Sequence, residues 1–361
     1  MFVIEFPVNP KNVKVVRLIY LICNGETSSS WFDDGKFEAP ENETNTIESA
    51  CKRISLAAML AQYFYWKTTG KTFRLEFDQQ QENNRPIVHR FLVDRFDNDV
   101  LWQMNESKLW RLIANQLMNS PLASNDCKFL AFCSFSRYFP RSDEPFWIPS
   151  KQVKGYVSLG GDGLALLSTH CLYCWPEKIE EIHQRLNDQR LIDVKRFMND
   201  SNNRNTRSGC FTTTFGAMIH ELGHVFGLAH RQTGIMAREF NLIDEFFLHQ
   251  NLSVNRWWTK EDLIILNLNP WFDYDLFSFT NHNNHDDENV FIMNNDKVLT
   301  SKYGLRFVEY RHIETNFVSE SKIFDEPIQT FKITAIEEYQ KLSLLKLFVL
   351  DQNGNSKTFY L

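Results

Sequence analysis

No lysine- or arginine-rich run occurs anywhere in the 361 residues, and acidic side chains outnumber basic ones, 45 against 39. The resulting net charge of −6, with a pI near 6.0, leaves no cationic surplus to displace counterions from a phosphate backbone. A nucleic-acid partner is therefore not expected. Nor does any uninterrupted apolar stretch reach the ~18 residues that cross a bilayer, so no membrane partner is expected. The opening residues, MFVIEFP, have neither a basic n-region nor a sustained apolar core and do not read as a secretory signal. Asn-x-Ser/Thr sequons, for example at Asn42 and Asn251, are no more than an Asn-rich chain supplies by chance. Cysteine is sparse and odd in number: Cys23, Cys51, Cys127, Cys133, Cys171, Cys174 and Cys210. Thiols scattered in this way, several inside apolar runs, read as reduced and buried, and the expected location is cytoplasmic.

What is present is ample core material, 43% hydrophobic with 31 Phe, on a length that suits one large domain or two modest ones. Val13–Cys23 (VKVVRLIYLIC) reads as a buried strand. A long helix is expected from about Ile47 to Trp66, with Asn45 and Glu48 as a capping box and Gly70 as C-cap. Lys71–Asp78 alternates and reads as the next strand, giving a strand–helix–strand unit. Ser107–Met118 has helical spacing, Cys127–Ser134 is strand-like, and two apolar runs flank Gly160-Gly161-Asp162-Gly163 as a strand pair or a bulged edge. Helices are expected at Pro176–Asn187 and Thr259–Leu268, and a polar loop at Asp193–Gly209. Polar residues 281–289 (NHNNHDDEN) read as a linker between a domain at 1–280 and a small all-β unit at 290–361, with turns at Asn295-Asp296 and Asn353-Gly354.

The segment that carries chemistry is Phe211–Arg238, FTTTFGAMIHELGHVFGLAHRQTGIMAR. His220 and His224, four apart, project from one helix face and can reach a single Zn2+ at roughly 2.0–2.1 Å. Glu221, rotated off that face, can hold the attacking water without taking a coordination position. The helix must then stop for a third ligand to turn back, and Gly227 supplies the residue type that tolerates the left-handed break. His230 follows from a new direction, and three neutral imidazoles leave a fourth position open, as a catalytic site requires. Gly234-Ile235-Met236 fits a turn that puts a thioether beneath the ligands. The alternative, histidines on an ordinary amphipathic helix, would require all six residues to coincide by chance.

This pattern resembles the metzincin clan of zinc metallopeptidases. With GGDGLALLSTHCLYCWPEKIEEI before it and WTKEDLIILNLNPWF after it, the chain is similar to a poorly characterised eukaryotic family of zinc metallopeptidases, from about Val13 through the C-terminal β region. The resemblance implies an α/β (α+β) catalytic domain: a twisted, mostly parallel sheet, a backing helix, an active-site helix and a short lower subdomain. It implies one Zn2+ per chain held by His220, His224 and His230, Glu221 as general base, and a peptide or protein substrate, with endopeptidase action favoured over exopeptidase. Substrate would lie along an edge strand, for which Leu164, Ala165, Leu166 and Leu167 are the candidates. Arg238 stands where many metzincins carry a tyrosine, so no tyrosine switch is assigned, and no cysteine-switch segment is seen.

Lesser signals take ordinary explanations. Cys171 and Cys174 lack a second matching pair and read as structural thiols. His282, His285, Asp286 and Asp287 read as solvated linker, and Trp257, Trp258 and Trp271 as core. A zinc-binding pseudoenzyme or scaffold whose β tail recognises a partner is the alternative, against which the intact Glu221 weighs. Hydrolysis of a non-peptide amide is a third reading.

Overall fold

A computed structural model describes residues 14–23, 35–77, 85–94, 96, 98–249, 253–272, 290–333 and 345–361. The first strand, β1 (Val15–Cys23), is apolar throughout because both of its faces are covered. Val16, Leu18 and Tyr20 enter one core, Ile19 and Leu21 the other. Helix α1 (Ile47–Thr69) backs the first face. It is capped by Thr46, whose hydroxyl accepts from Ser49 N, and closed by Gly70 at φ 76°. Asn45 is thus one residue outside the cap. Its amide donates to Phe37 O, and Glu48 pairs with Lys52 instead of closing a box.

The expected strand at Lys71–Asp78 is reduced to isolated bridges, among them Val16 to Leu75 and Phe77 to Pro86, and Asp78 lies outside the described residues. The partner of β1 along this edge is β2 (Val88–Val93), parallel to it from Leu18 to Cys23. After α2 (Asn98–Trp102), helix α3 (Glu106–Met118) covers the second face with Leu109, Ile113 and Leu117. Strand β3 (Cys127–Cys133) lies parallel to β1 on its other side. A two-residue ribbon, β4 (Arg137–Tyr138) with β5 (Val153–Lys154), encloses α4 (Pro149–Gln152) and leads into β6 (Ser158–Gly161) and β7 (Leu164–Ser168).

The main sheet has the order β2-β1-β3-β7-β6, parallel except for β6. This order corrects one expectation. Leu164, Ala165, Leu166 and Leu167 belong to β7, which pairs with β3 on one side and β6 on the other, and so offer no open edge. The edge strand is β6. All four residues of that β7 run are buried, whereas Ser158–Gly161 are half-buried.

Pro176–Asn187 forms only a 3-10 turn (Ile179–Glu181) and the short α5 (Ile182–Leu186). The polar loop ends earlier than expected, because α6 (Arg207–Val225) starts after its cap Thr206. Beyond it lie α7 (Asp244–His249), α8 (Val254–Trp257) and α9 (Lys260–Leu268), the last with a capping box of Thr259 and Asp262. Trp257 and Trp258 are buried against Phe64 and Tyr65 of α1, and Trp271 packs at the margin of the same core.

Residues 281–289 lie outside the described residues. The C-terminal sheet consists of β8 (Phe291–Met293), β9 (Val298–His312), β10 (Val318–Lys332), β11 (Leu345–Asp351) and β12 (Ser356–Tyr360), all antiparallel. Two of its strands run to 15 residues. Its strands alternate between two cores. Val308, Tyr310, Leu347 and Val349 fill a core of their own, while Phe307, Phe348 and Leu350 join the main core. That second face carries the sheet to the end of α6.

Candidate metal centre

Helix α6 ends as the sequence requires. Gly227 is left-handed at φ 91°, Gly227 N donates to His224 O and Leu228 N to Gly223 O, which closes the last turn and redirects the chain. His230 returns to the helix, where the Nε2 atoms of His220 and of His230 each lie 3.1 Å from that of His224. Among the described residues this is the one group of potential ligands that converges.

The opposite nitrogen of each ring faces a backbone carbonyl: Ile235 O at 2.8 Å for His220, Leu228 O at 2.9 Å for His224, and Thr315 O at 2.6 Å for His230. A carbonyl only accepts, so each Nδ1 carries the proton and each Nε2 presents a lone pair. Burial drives the His220 pKa down to about 4, and burial with the neighbouring imidazoles drives that of His224 well below its ordinary value. Three lone pairs pointing at one another repel unless a cation lies between them. Tetrahedral zinc at about 2.0–2.1 Å would separate such nitrogens by about 3.3 Å, close to the spacing here. The donor set therefore fits zinc.

Met236 is fully buried, and a Cβ placed on Gly223 would lie 2.4 Å from its sulfur. The Met236 sulfur thus lies against the helix at Gly223, the residue before His224. Ile235 of the same turn supplies the carbonyl that orients His220.

Glu221 meets the edge strand. Its carboxyl accepts from the Ser158 hydroxyl at 3.3 Å and lies within the electrostatic reach of the Gly160 N–H. Burial raises its pKa to about 8; those two donors oppose the rise, and Glu106 adds to it. A Cβ on Gly160 would lie 2.1 Å from Glu221 O, so β6 crosses α6 at backbone contact. Two aromatic rings flank the histidines. Phe240 stacks edge-on to His220 with centroids 5.2 Å apart, and Phe317, 46% exposed, leans on His230 at 5.3 Å.

His220, Glu221, His224, Gly227, His230 and Met236 are thus brought together, while Leu164–Leu167 stand one strand behind the edge. Ser158, Gly160, Gly223 and Thr315 were not singled out from the sequence. The Gly160-Gly161 pair was the available signal for close approach, whereas the carbonyl of Thr315 has no side-chain signature. No disulfide forms among the described residues, and Cys171, Cys174 and Cys210 are buried in the main core. His282, His285, Asp286 and Asp287 lie outside the described residues.

The family described as "Putative peptidase family" (Metallopep) matches residues 3–306. The chain belongs to this family. Among curated relatives, "Putative zinc metalloproteinase YIL108W" of Saccharomyces cerevisiae is 30% identical over 246 residues, covering 60% of this chain and 34% of the relative. "Putative zinc metalloproteinase C607.06c" of Schizosaccharomyces pombe is 25% identical over 271 residues, 69% of this chain and 43% of the relative. The match thus spans about a third of the first relative's length and under half of the second's. Among solved structures, catalytically inactive OgpA from Akkermansia muciniphila, in complex with an O-glycopeptide (glycodrosocin) substrate, is similar with a TM-score of 0.50. It is 13% identical, with 98% of this chain and 94% of that chain covered. A wild-type OgpA structure gives the same TM-score at 14% identity, covering 98% and 93%. At this identity the likeness is one of fold. Among the described residues no helix is long and apolar enough to cross a membrane.

Proposed function

We propose that the protein is a metzincin-type zinc peptidase, binding one Zn2+ through His220, His224 and His230, with Glu221 as general base. The observation that carries this reading is the convergence of three Nε2 lone pairs, each fixed by a carbonyl on Nδ1, with a buried carboxyl on the same helix turn. When bound, zinc supplies a Lewis acid that acidifies water and polarises the scissile carbonyl, and its charge favours the ionised form of Glu221. Glu221 takes a proton from the attacking water and returns it to the leaving amine. Gly160 N–H and Ser158 Oγ hold the carboxyl in place for both transfers. The open edge of β6, adjoining Glu221, is the surface against which an extended peptide adds as a strand. A substrate laid along an edge in that way favours endopeptidase action.

The names of the yeast relatives support a metallopeptidase, and the glycopeptide bound to OgpA defines one arm of the test. Unmodified and O-glycosylated peptide libraries are incubated with the zinc-loaded chain, with and without a chelator. Chelator-sensitive cleavage restored by zinc, and absent in His224→Ala, is expected. A chain that binds zinc tightly yet cleaves neither library would favour the scaffold alternative.

A further inference from the structure

The turn that carries the third ligand is held from the C-terminal sheet. Its backbone is paired with the β9–β10 turn: His230 N donates to Asn316 O at 3.1 Å and Val318 N to His230 O at 3.4 Å, beside the Thr315 carbonyl already on Nδ1. Behind this pairing lies a buried quartet of charges. Arg231, next to His230, donates through Nε to Asp262 of α9 at 2.8 Å and through Nη1 to Glu309 Oε2. Glu309, fully buried on β9, gives its other oxygen to Arg311 Nε at 2.6 Å. Arg311 then donates through Nη2 to Gly227 O at 2.9 Å, with its guanidinium 3.9 Å from the centre of the Phe348 ring. One carboxylate therefore anchors both ends of the Gly227–Arg231 excursion, the left-handed break and the residue after the ligand.

We infer that Glu309 is a positioning residue of the metal centre: through Arg231 and Arg311 it fixes the Gly227–Arg231 segment so that His230 meets the other two imidazoles. This inference rests on the zinc reading above. Two cations and two anions buried together are neutral as a set, and well-packed apolar side chains often stabilise a fold as much as such a set does. What directional charge-assisted bonds add is a fixed register for the segment they grip. The C-terminal sheet is on this account a working part of the zinc site, supplying a carbonyl to one ligand and the clamp that orients it.

The test uses the full chain and reads metal binding, not turnover. Zinc affinity is measured by chelator competition, and the ligand field by the visible absorption of the Co2+-substituted protein. Glu309→Gln combined with Arg311→Met removes one charge of each sign and leaves Arg231 paired with Asp262. It should bind zinc about 10–100-fold more weakly, as loss of groups supporting metal ligands commonly does, with altered Co2+ bands. Arg311→Lys, which keeps the cation beside Glu309 and gives up the bond to Gly227 O, should show a smaller loss of the same kind, and serves if the double variant fails to fold. Val308→Ala, on the same strand but facing the other core, should lower thermal stability and leave zinc affinity unchanged. A folded double or lysine variant with wild-type zinc affinity and Co2+ spectrum would overturn the inference, as would an equal zinc loss in Val308→Ala. Failure of the wild-type chain to bind zinc would instead remove the zinc reading on which it stands.

Discussion

Gly160 puts the contact between the edge strand and the active-site helix under a simple steric test. A methyl group there would lie 2.1 Å from the oxygen, 2.7 Å from the carbonyl carbon and 2.9 Å from the Cα of Glu221. All three are backbone atoms, so no side chain can swing aside, and an ordinary contact requires about 1 Å of separation. The helix is packed on its other sides, whereas β6 is, among the described residues, an edge strand paired with β7 alone, so β6 is the element that gives. Its retreat would draw the Gly160 N–H and the Ser158 hydroxyl away from the Glu221 carboxyl. Overpacking of this kind costs about 1–3 kcal/mol. A displacement of about 1 Å in a catalytic group costs on the order of 100-fold in rate. Gly160→Ala should therefore melt several degrees lower and lose about 100-fold in kcat/KM, with zinc content unchanged because no ligand is touched. Gly161→Ala is the matched control, since among the described residues, its own chain neighbours aside, no atom lies within 4 Å of the added methyl. Calorimetry, metal analysis and steady-state kinetics on the two variants suffice. If Gly160→Ala matches Gly161→Ala in both melting temperature and kcat/KM, the steric reasoning fails.

Two further predictions concern stability. Burial raises the Glu38 carboxyl to about 7, against the opposing pull of the Tyr138 N–H, Arg137 and His170. The folded chain thus keeps a proton that the unfolded chain releases near pH 4.5, so stability falls as pH rises from about 4.5 to 7 and stays lower above it. Glu38→Gln, whose side-chain oxygen can still accept from Tyr138 N, should match wild type at pH 5 and exceed it by about 2 kcal/mol at pH 8; parallel melting profiles across that range would refute this. Met236→Leu preserves volume and apolarity beneath the helix, so it should cost less than about 1.5 kcal/mol and retain full zinc content by metal analysis, because the sulfur is floor and not ligand.

The proposed ligand set was legible because it is local. Helical spacing fixes His220 against His224, and a single glycine dictates where the helix ends, so proximity in sequence becomes proximity in space. Strand β1 and helices α1, α3 and α9 were legible for the same reason, through apolar period, with Gly70 marking the end of α1, although its N-cap is Thr46 and not Asn45. The edge strand was not, because two runs flank Gly160–Gly163 and only pairing of Phe129 with Leu164 across the sheet decides which lies inside. The more apolar run, LALLS, was the available hint for the inner position. Least legible was the support for His230, which comes from Glu309, Arg311 and Thr315, far along the chain. Phe307, Glu309 and Arg311 share one strand face by alternation, and two charged residues beside a core phenylalanine were the signal that this face meets something polar and buried.

The central claim is that Glu221 does chemistry on a zinc ion it does not hold. Zinc content and peptide hydrolysis measured on the same preparations of wild type and Glu221→Ala test it most directly. The account predicts one zinc per chain in both proteins, hydrolysis by the wild type, and no detectable turnover by the variant. Undiminished cleavage by zinc-loaded Glu221→Ala would contradict it.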